Sequence, residues 1–397
     1  MRLVEASIDT FESTLARPVG NARVSWPRRA GLLVTLIDVD GLAGQGEASP
    51  LPGFSPDDID ACQRVITGAH IWIAEYDPTM PPRSAVSRAL APRSAALAAT
   101  PAARFALETA LFDLLGQRTG RSMAELLRQG EHDSEHRLRS PVGEGASPDG
   151  GWASTGSRVA LSGLVAAGTV DLLEAARRLV GRGIRTLKFK VGARGVEFDR
   201  QLADLEGLRR DLPSDIALRL DANGSWTLDE ARHYLGRLAP IEPEWVEEPT
   251  AGDALLLLGP SAVPWAADES LADPVRASRL LEANPGQGCA AVVIKPALLG
   301  GLCVGWDLAR RAQERGLSVA ITHLFDGPVA LAAACELALA LPRQPVACGL
   351  DVHDGLSAWP PAAIPQLVLG STITPSGLPG VGLPLLRAMR VSKGGLQ

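Results

Sequence analysis

Two lysines stand in a stretch that otherwise has the pattern of a buried strand. In IRTLKFKVG, residues 184–192, Lys188 and Lys190 are two positions apart among apolar residues. Successive side chains of a strand point to opposite faces, so these two ammonium groups share one face. Like charges on one face of a core strand repel each other and lose hydration. The pair therefore requires an acidic or polar partner elsewhere in the fold.

Acidic residues lie near the ends of three later stretches of the same kind. Asp221 is near the end of IALRLDA, Glu247 lies in EWVEEP and Asp268 lies in PWAADES. If these stretches are neighbouring strands, their carboxylates converge and repel strongly unless a cation lies between them. Oxygen-only ligands favour a hard ion, so we predict a Mg²⁺ site, with Mn²⁺ as an alternative occupant. The same acidic group explains how the two lysines are tolerated.

A third lysine, Lys295, lies near the end of the stretch AAVVIKP, on the other side of these carboxylates. We expect a nearby cation and partial burial to lower a lysine pKa from about 10.4, which makes the amine usable as a base near neutral pH. A divalent ion and an ammonium group can stabilise the charge that develops when a proton next to a carboxylate is removed. The pattern therefore favours proton abstraction from a small carboxylate substrate.

Each of these residues alone has a simpler interpretation. A single Asp or Glu after a strand is often only a helix cap, and an EE or DE pair can be a solvated turn. Lys188 could extend its ammonium group into solvent. The order Lys-x-Lys, Asp-x-Asn, Glu, Asp, Lys on five successive strands favours a catalytic site over all of these.

The elements that must position these residues alternate regularly after residue 157. Amphipathic helices such as TVDLLEAARRLVGRG and GWDLARRAQERG fall between short apolar strands. Eight strands with intervening helices predict a closed (β/α)8-type barrel, whose chemistry gathers at the carboxyl ends of the strands. A doubly wound open sheet is the alternative, and strand number and spacing favour the barrel. The predicted strands are 158–163, 185–191, 216–222, 244–249, 264–270, 290–296, 317–323 and 345–351.

The rest of the chain divides by composition. Residues 1–125 combine Gly- and Pro-split apolar runs with the helical pattern AARFALETALFDLLGQRTG, which predicts a small α+β domain. Residues 130–157 are polar and rich in Gly and Ser, which predicts a linker or loop over 126–157. The barrel domain is expected over 158–370, and the tail 371–397 is expected to return to the first domain.

Composition excludes several classes of protein. Of 397 residues, 46% are hydrophobic and 21% charged, and the net charge of −6 without a basic block argues against nucleic-acid binding. No apolar run reaches the roughly 18–20 residues of a membrane span, and no secretory signal pattern is present at the start. Five dispersed cysteines argue against a disulfide framework or a zinc site. His132 and His136 have a metal-binding spacing, but their flanks predict a solvated loop. We predict a cytoplasmic protein.

The motifs KFKVG, LRLDANGSW, WVEEP, AADES and VVIKPALLGG together resemble the enolase superfamily, in its muconate-lactonizing subgroup. Within it, GQGEASPLPGFS (44–55) and GLDVHDGL resemble the o-succinylbenzoate synthases, where the first of these segments closes over the substrate. The resemblance covers about residues 30–360. It implies a modified (β/α)7β barrel with an N-terminal α+β capping domain.

The resemblance also implies roles for residues. Asp221, Glu247 and Asp268 would bind the metal, Lys190 would be the general base, and Lys295 would stabilise the developing enolate. The remaining residues of the implied site are supporting or substrate-binding: Lys188, Arg219, Asn223, Glu269, Thr322, His323, Gly349, Leu51 and Phe54.

The activity implied is a syn elimination of water from 2-succinyl-6-hydroxy-2,4-cyclohexadiene-1-carboxylate, a step of menaquinone biosynthesis. N-acylamino acid racemase, dipeptide epimerase or muconate-type cycloisomerase chemistry uses the same residues and stays an alternative. A non-catalytic binding barrel ranks lower, because none of the predicted metal ligands or lysines is missing. A Schiff-base aldolase also ranks lower, because its reaction does not require three carboxylates. The segment AITHLFDGPVAL departs from the serine-rich pattern expected after strand seven. We interpret its His323 as a substrate-contacting or structural residue rather than a second base.

Overall fold

The computed structural model describes residues 2–20, 25–77, 79–129, 158–166, 169–192, 196–282, 288–365 and 367–386. The predicted histidine pair and most of the predicted linker lie outside these residues.

The capping domain begins with a three-stranded antiparallel sheet in the order β1-β2-β3. Its strands are β1 (Leu3–Gly20), β2 (Ser25–Asp38) and β3 (Ala43–Ala48). A Cβ on Gly46 would lie 1.8 Å from the Ala106 carbonyl oxygen, so β3 requires glycine where it packs directly on a helix backbone.

Helices cover one side of this sheet. The longest, at Pro101–Thr119, is buried along most of its length and ends at Gly120 with a φ of +66°, which confirms the predicted helix and its glycine cap. The last helix runs to Arg128, past the boundary at 125 that composition suggested. The helices are α1 (Ile59–Ile66), α2 (Ala69–Trp72), α3 (Pro82–Leu90), α4 (Ser94–Ala99), α5 (Pro101–Thr119) and α6 (Met123–Arg128).

The second half of the chain forms a curled parallel sheet of seven strands. Strands β5 to β11 pair with their neighbours in sequence order, all parallel. The predicted first strand is divided into β4 and β5, and the other six shorten to three to six residues. The strands are β4 (Val159–Ala160), β5 (Ser162–Val165), β6 (Thr186–Lys190), β7 (Ala217–Asp221), β8 (Trp245–Glu247), β9 (Trp265–Ala267), β10 (Cys289–Ile294) and β11 (Ser318–Ile321).

Residues 346–349, which we call the closing segment, join the two edges of this sheet. The Cys348 carbonyl accepts the Ser162 N–H at 2.8 Å, and the Gly349 N–H donates to the Ile321 carbonyl at 2.9 Å. The prediction of a regular eighth strand over 345–351 is wrong, because pairing is limited to isolated bridges on each side. These bridges still close the barrel, and the open-sheet alternative is excluded.

Helices follow most barrel strands on the outside. The helix after β11 is buried over its whole length, since it lies between the barrel and the capping domain. Among the described helices, none combines the length and apolar character needed to cross a membrane. These helices are α7 (Leu172–Gly181), α8 (Phe198–Asp211), α9 (Leu228–Arg237), α10 (Pro274–Glu282), α11 (Pro296–Leu299), α12 (Leu302–Glu314) and α13 (Pro328–Ala340).

Short elements complete the described chain. Strands β12 (Val368–Leu369) and β13 (Thr372–Ile373) pair with each other, and β13 also pairs with β4, in a small antiparallel sheet. The 3-10 turns are Ala91–Arg93, Ala239–Ile241, Gly252–Leu257, Glu269–Ala272, Asp354–Ala358 and Pro361–Ala363.

Buried glutamates cross between the capping domain and the barrel, and we call Glu47, Glu108 and Glu336 the interdomain carboxylates. Glu47 of β3 accepts the Gly327 N–H at 2.6 Å, at the start of α13. Glu108 of α5 accepts a backbone N–H at the start of α12, and Glu336 of α13 accepts the Ala124 N–H of α6 at 2.7 Å. Each satisfies an orphan N–H of a helix in the other domain, at the end where the helix dipole favours negative charge.

The described part of the tail contacts the capping domain. The Val381 N–H donates to Asp113 Oδ1 at 2.9 Å, and the Leu386 N–H donates to Gln45 Oε1 at 2.7 Å. The tail therefore adds hydrogen bonds to the capping domain, while the domain bounds drawn from composition stay a prediction.

Candidate active site

Three buried carboxylates meet at the carboxyl ends of β7, β8 and β9. Asp221 ends β7, Glu247 ends β8, and these two residues are register partners across the sheet. Asp268 follows β9 directly. One oxygen from each residue lies within 4.8 Å of the others, and all three side chains are buried. Parallel strands end at the same edge of a sheet, which brings these residues together, and we call them the acidic triad.

Lysines surround the acidic triad on both sides. Lys188 Nζ and Lys190 Nζ, both from β6, each lie 2.6 Å from Asp221 Oδ2. Lys188 also contacts Glu247. Lys295, directly after β10, donates to Asp268 Oδ2 at 2.6 Å. β6 and β10 are four strands apart in the barrel, so Lys190 and Lys295 approach the acidic triad from opposite sides.

The carboxylates raise the pKa of two of the lysines, Lys188 and Lys295. Burial lowers the pKa of the Lys188 ammonium, but Asp221, Glu247 and Asp268 raise it more, so it lies well above its usual value. The same balance, with Asp268 as the main partner, raises the pKa of Lys295. Each ammonium group lies directly against carboxylates, and the lowering of a lysine pKa by a nearby cation stays a prediction.

The acidic triad fits a divalent cation. Its donors are all carboxylate oxygens, they are buried, and they converge on one centre. Such hard-oxygen sets suit Mg²⁺ or Mn²⁺ rather than a soft metal. The residues that would hold the ion are Asp221, Glu247 and Asp268.

The neighbouring acidic residues have different surroundings. Glu248 has a φ of +39° and accepts the Asp268 N–H at 2.8 Å and the Ser270 N–H at 3.1 Å. Only Glu247 of the EE pair therefore faces the acidic triad. Glu269 Oε1 accepts Asn223 Nδ2–H at 3.1 Å, and it also accepts Lys295 Nζ–H at 3.2 Å.

Asn223 connects the lysine of one side to this network. Its Oδ1 accepts Lys190 Nζ–H at 2.9 Å, and its φ of +47° lies in the left-handed region that Asn tolerates. Lys190, Asn223, Glu269 and Lys295 thus form a hydrogen-bonded chain across the mouth of the barrel.

Arg219 lies beneath the site and does not line the cavity. Its Nε donates to Glu244 Oε2 at 2.7 Å, and its guanidinium carbon is 4.0 Å from the Trp245 ring centroid. Its Nη1 donates to the Ala347 carbonyl at 2.5 Å, so it joins β7 to the closing segment. These contacts hold β7 against the closing segment beneath the acidic triad.

Thr322 and Gly349 form the edge of the cavity next to the closing segment. Thr322 Oγ1 donates to the Gly349 carbonyl at 3.0 Å. A Cβ on Gly349 would lie 2.7 Å from that hydroxyl, so a side chain there would force the two segments apart.

The loop around Leu51 and Phe54 closes the cavity from the capping domain. Leu51 is buried, and the Phe54 ring centroid lies 5.2 Å from Lys295 Nζ. The Trp26 indole N–H donates to the Pro52 carbonyl at 2.9 Å and fixes the loop. The cavity has a volume of about 700 Å³ and contains Lys188, Lys190 and Lys295 among its lining residues.

Sequence reasoning missed four residues beside this cavity: Trp26, Arg29, Phe325 and His353. Arg29 is buried and donates to the Phe325 carbonyl at 2.9 Å, although 296 positions separate them. Its sequence signal is a charged residue inside the apolar pattern of β2, as Lys188 and Lys190 are in β6. His323 stacks on His353 with ring centroids 5.1 Å apart.

Comparisons with known proteins bear on this site. A family model described as "Enolase C-terminal domain-like" matches residues 171–388. An o-succinylbenzoate synthase of Thermobifida fusca is 36% identical over 179 residues, which cover 45% of this chain and 55% of that protein. An L-Lys-D/L-Arg epimerase of Methylococcus capsulatus is 30% identical over 349 residues, which cover 86% of this chain and 88% of that protein.

A solved structure has the same fold. The dipeptide epimerase from Methylococcus capsulatus, complexed with Mg and the dipeptide L-Arg-D-Lys, has a TM-score of 0.75 and 24% identity. The superposition covers 96% of this chain and 99% of that one.

Proposed function

Since this chain belongs to the enolase superfamily, in its muconate-lactonizing subgroup, we propose that it is an o-succinylbenzoate synthase-like dehydratase. It eliminates water from 2-succinyl-6-hydroxy-2,4-cyclohexadiene-1-carboxylate, a step of menaquinone biosynthesis, and acts in the cytoplasm. The described cysteines are free thiols, which agrees with a reducing compartment. The similarity to the Thermobifida fusca synthase supports the choice of reaction.

In this proposal Lys190 removes the proton next to the substrate carboxylate. That proton is very weakly acidic, so removal requires that the charge developing on the carboxylate oxygens be stabilised. A Mg²⁺ ion held by the acidic triad would supply a Lewis acid for those oxygens. Lys295, on the opposite side, keeps its ammonium form through Asp268 and donates a hydrogen bond to the same oxygens.

The second half of the reaction expels the hydroxyl group. In a syn elimination the proton and the hydroxyl leave from the same face of the ring, so the Lys190 ammonium can return its proton to the departing hydroxyl. The products are water and an aromatic acid, and aromatisation makes this step downhill. Lys188 stays between Asp221 and Glu247, where its ammonium group holds two members of the acidic triad beside Lys190.

The capping loop is the observation that carries the dehydratase proposal. Phe54 faces Lys295, and buried Leu51 lies beside it, so apolar groups close the space between the two catalytic lysines. A substrate ring that must lose water to become aromatic fits such an enclosure better than an extended polar chain does.

Dipeptide epimerisation is the second candidate. Two lysines on opposite sides of a carboxylate site can act as opposed bases, and the epimerase of Methylococcus capsulatus aligns over most of this chain. The same placement serves both reactions, so substrate selection decides between them.

Incubation of the purified protein and Mg²⁺ with each substrate separates the two candidates. We expect the cyclohexadiene acid to give an aromatic product, measured by ultraviolet absorbance and mass spectrometry. L-Lys-L-Arg in D₂O is expected to show slower deuterium incorporation, measured by NMR. Rapid epimerisation of the dipeptide without aromatic product would replace the dehydratase proposal with the epimerase one.

A further inference from the structure

Three aromatic rings line the part of the cavity formed by residues after β11 and after the closing segment. The imidazoles of His323 and His353 stack, with centroids 5.1 Å apart and planes at 23°. The Phe325 ring lies 5.7 Å from each of them and is nearly perpendicular to both. All three line the cavity that contains Lys190 and Lys295. We call His323, Phe325 and His353 the ring cluster.

Hydrogen bonds to the backbone fix the two imidazoles. Nδ1 of His323 accepts the Phe325 N–H at 2.8 Å. Nδ1 of His353 accepts the Gly355 N–H at 3.2 Å, and its Nε2 donates to the Asp326 carbonyl at 2.8 Å. An accepting Nδ1 with a donating Nε2 is the pattern of a neutral imidazole. Burial also lowers the pKa of His323 to about 4 and that of His353 to about 3.

The capping domain holds the ring cluster in place from behind. Phe325 has a φ of +55°, a conformation that phenylalanine rarely adopts, and Arg29 Nε donates to its carbonyl at 2.9 Å. A Cβ on Gly355 would lie 2.6 Å from Leu15 Cδ2, so β1 packs directly against the turn that carries His353. Uncommon backbone held by its surroundings is typical of ligand sites.

We propose that the ring cluster is the wall against which the unsaturated ring of the substrate binds. The inference rests on the proposed function and names how its substrate class is recognised. In the barrel the closing segment lies across from β8, so the ring cluster and the acidic triad are on opposite sides of the cavity. A substrate whose carboxylate points to the acidic triad therefore extends its ring toward the ring cluster. Uncharged aromatic faces bind a planar ring through dispersion and ring-edge contacts.

The ring cluster contributes to binding and not to proton transfer. The Nδ1 lone pair of His323 is used by the Phe325 N–H, and that of His353 by the Gly355 N–H. A base at this position would need a lone pair directed at the substrate. The expected effect of altering these residues is therefore on affinity, with turnover of the bound substrate nearly preserved.

Two asparagine variants test the wall, because asparagine can place an acceptor near the position of Nδ1 while it removes the ring. In His323→Asn and His353→Asn we expect the Kd of o-succinylbenzoate, titrated calorimetrically into the Mg²⁺-loaded protein, to rise about tenfold. The Kd of Mg²⁺ and the thermal midpoint are expected to stay unchanged, and KM to rise with kcat within about threefold. His233→Asn is the matched control, since His233 is exposed on α9 and does not line the cavity.

Phe325→Leu gives an independent variant that keeps every backbone hydrogen bond of the histidines. It is expected to weaken o-succinylbenzoate binding by a similar factor, and it keeps the test decisive if an asparagine variant does not fold. Unchanged o-succinylbenzoate affinity in the folded variants would overturn the proposed wall. A loss of kcat by several orders of magnitude in these variants would also overturn it, even if the wild-type protein is an active dehydratase.

The titration also separates the wall from the proposed function. A wild-type protein that binds o-succinylbenzoate, loses this affinity in the variants and yet makes no aromatic product keeps the wall and overturns the dehydratase. A wild-type protein with no affinity for o-succinylbenzoate overturns the wall.

Discussion

Lys190 and Lys295 lie on opposite sides of the acidic triad, and this separation gives them different parts in the proposed reaction. Lys190 shares Asp221 with Lys188 and bonds Asn223, while Lys295 is held by Asp268. A base must exchange its proton, whereas an electrostatic partner must keep its charge. Substitutions at the two lysines therefore test distinct roles.

Lys190→Ala and Lys295→Ala are expected to fold normally and to lower kcat by roughly 10³-fold or more. Lys190→Arg is the matched variant, because it keeps a positive charge beside Asp221 but does not act as a base, and it should be as inactive as Lys190→Ala. Near-normal turnover by Lys190→Arg, measured from aromatic product formation, would show that Lys190 is not the general base.

Glu247→Gln is expected to weaken Mg²⁺ binding by at least tenfold, because one charged ligand of the acidic triad becomes a neutral amide. Glu248→Gln is the adjacent control: its side chain points to the Asp268 and Ser270 N–H groups and away from the acidic triad. Calorimetric titration of Mg²⁺ measures both variants. An equal loss of Mg²⁺ affinity in Glu247→Gln and Glu248→Gln would show that Glu247 is not a metal ligand distinct from its neighbour.

Among elements, the barrel strands were predictable and the connections beside the cavity were not. Strand ends align in a parallel barrel whatever the loops do, so Asp221, Glu247 and Lys295 could be assigned to one site from the strand pattern alone. The bond between Arg29 and Phe325 depends on how two distant segments meet, and local periodicity does not encode it. The prediction of a regular eighth strand was wrong because the pairing of that segment is reduced to single bridges.

The hydrogen bond that fixes the capping loop around Leu51 and Phe54 can be removed by one substitution. Trp26→Phe keeps a ring near Phe54 but removes the N–H that holds the Pro52 carbonyl, so the loop loses one partly buried hydrogen bond. We expect KM to rise about fivefold while Mg²⁺ affinity stays constant. In the control Trp72→Phe, the N–H removed has no hydrogen-bond partner in the structure and lies outside the cavity lining. If the KM of Trp26→Phe equals that of the control, the capping loop does not contribute to substrate binding.

Across the whole molecule, the interdomain carboxylates tie the capping domain to the barrel through the starts of helices. No sequence pattern predicted the interdomain carboxylates, because glutamates inside helices or strands usually lie on solvent-exposed faces. Because these carboxylates are buried, the stability of the contact between the two domains depends on pH. Burial raises the pKa of Glu336 from 4.5 to about 7, despite its hydrogen bond from Ala124.

Glu336→Gln isolates this effect. A raised pKa in the folded state adds stability that is fully present below pH 4.5 and is lost as the pH rises through about 7. The wild-type free energy of unfolding should therefore fall by about 3 kcal/mol across that interval on account of this group. Gln keeps an acceptor for the Ala124 N–H without a charge, so the variant should gain stability relative to wild type between pH 5 and pH 8.

Denaturant unfolding at several pH values measures the difference between the two proteins, which cancels the shared titration of Glu47 and Glu108. Glu206→Gln, an exposed change on α8, is the charge-matched control and should leave the shape of the wild-type curve intact. A Glu336→Gln difference that is constant from pH 5 to pH 8 would mean that Glu336 stays ionised in its buried position.

The proposed reaction depends on a cation held by the acidic triad while Lys190 takes a proton. The most direct measurement is the rate of aromatic product formation from the cyclohexadiene acid, in chelator and after return of Mg²⁺, for wild type and Lys190→Ala. We expect that chelator abolishes the wild-type rate, that Mg²⁺ restores it, and that Lys190→Ala stays inactive throughout. A wild-type rate that persists in chelator, or restored activity in Lys190→Ala, would contradict the proposed reaction.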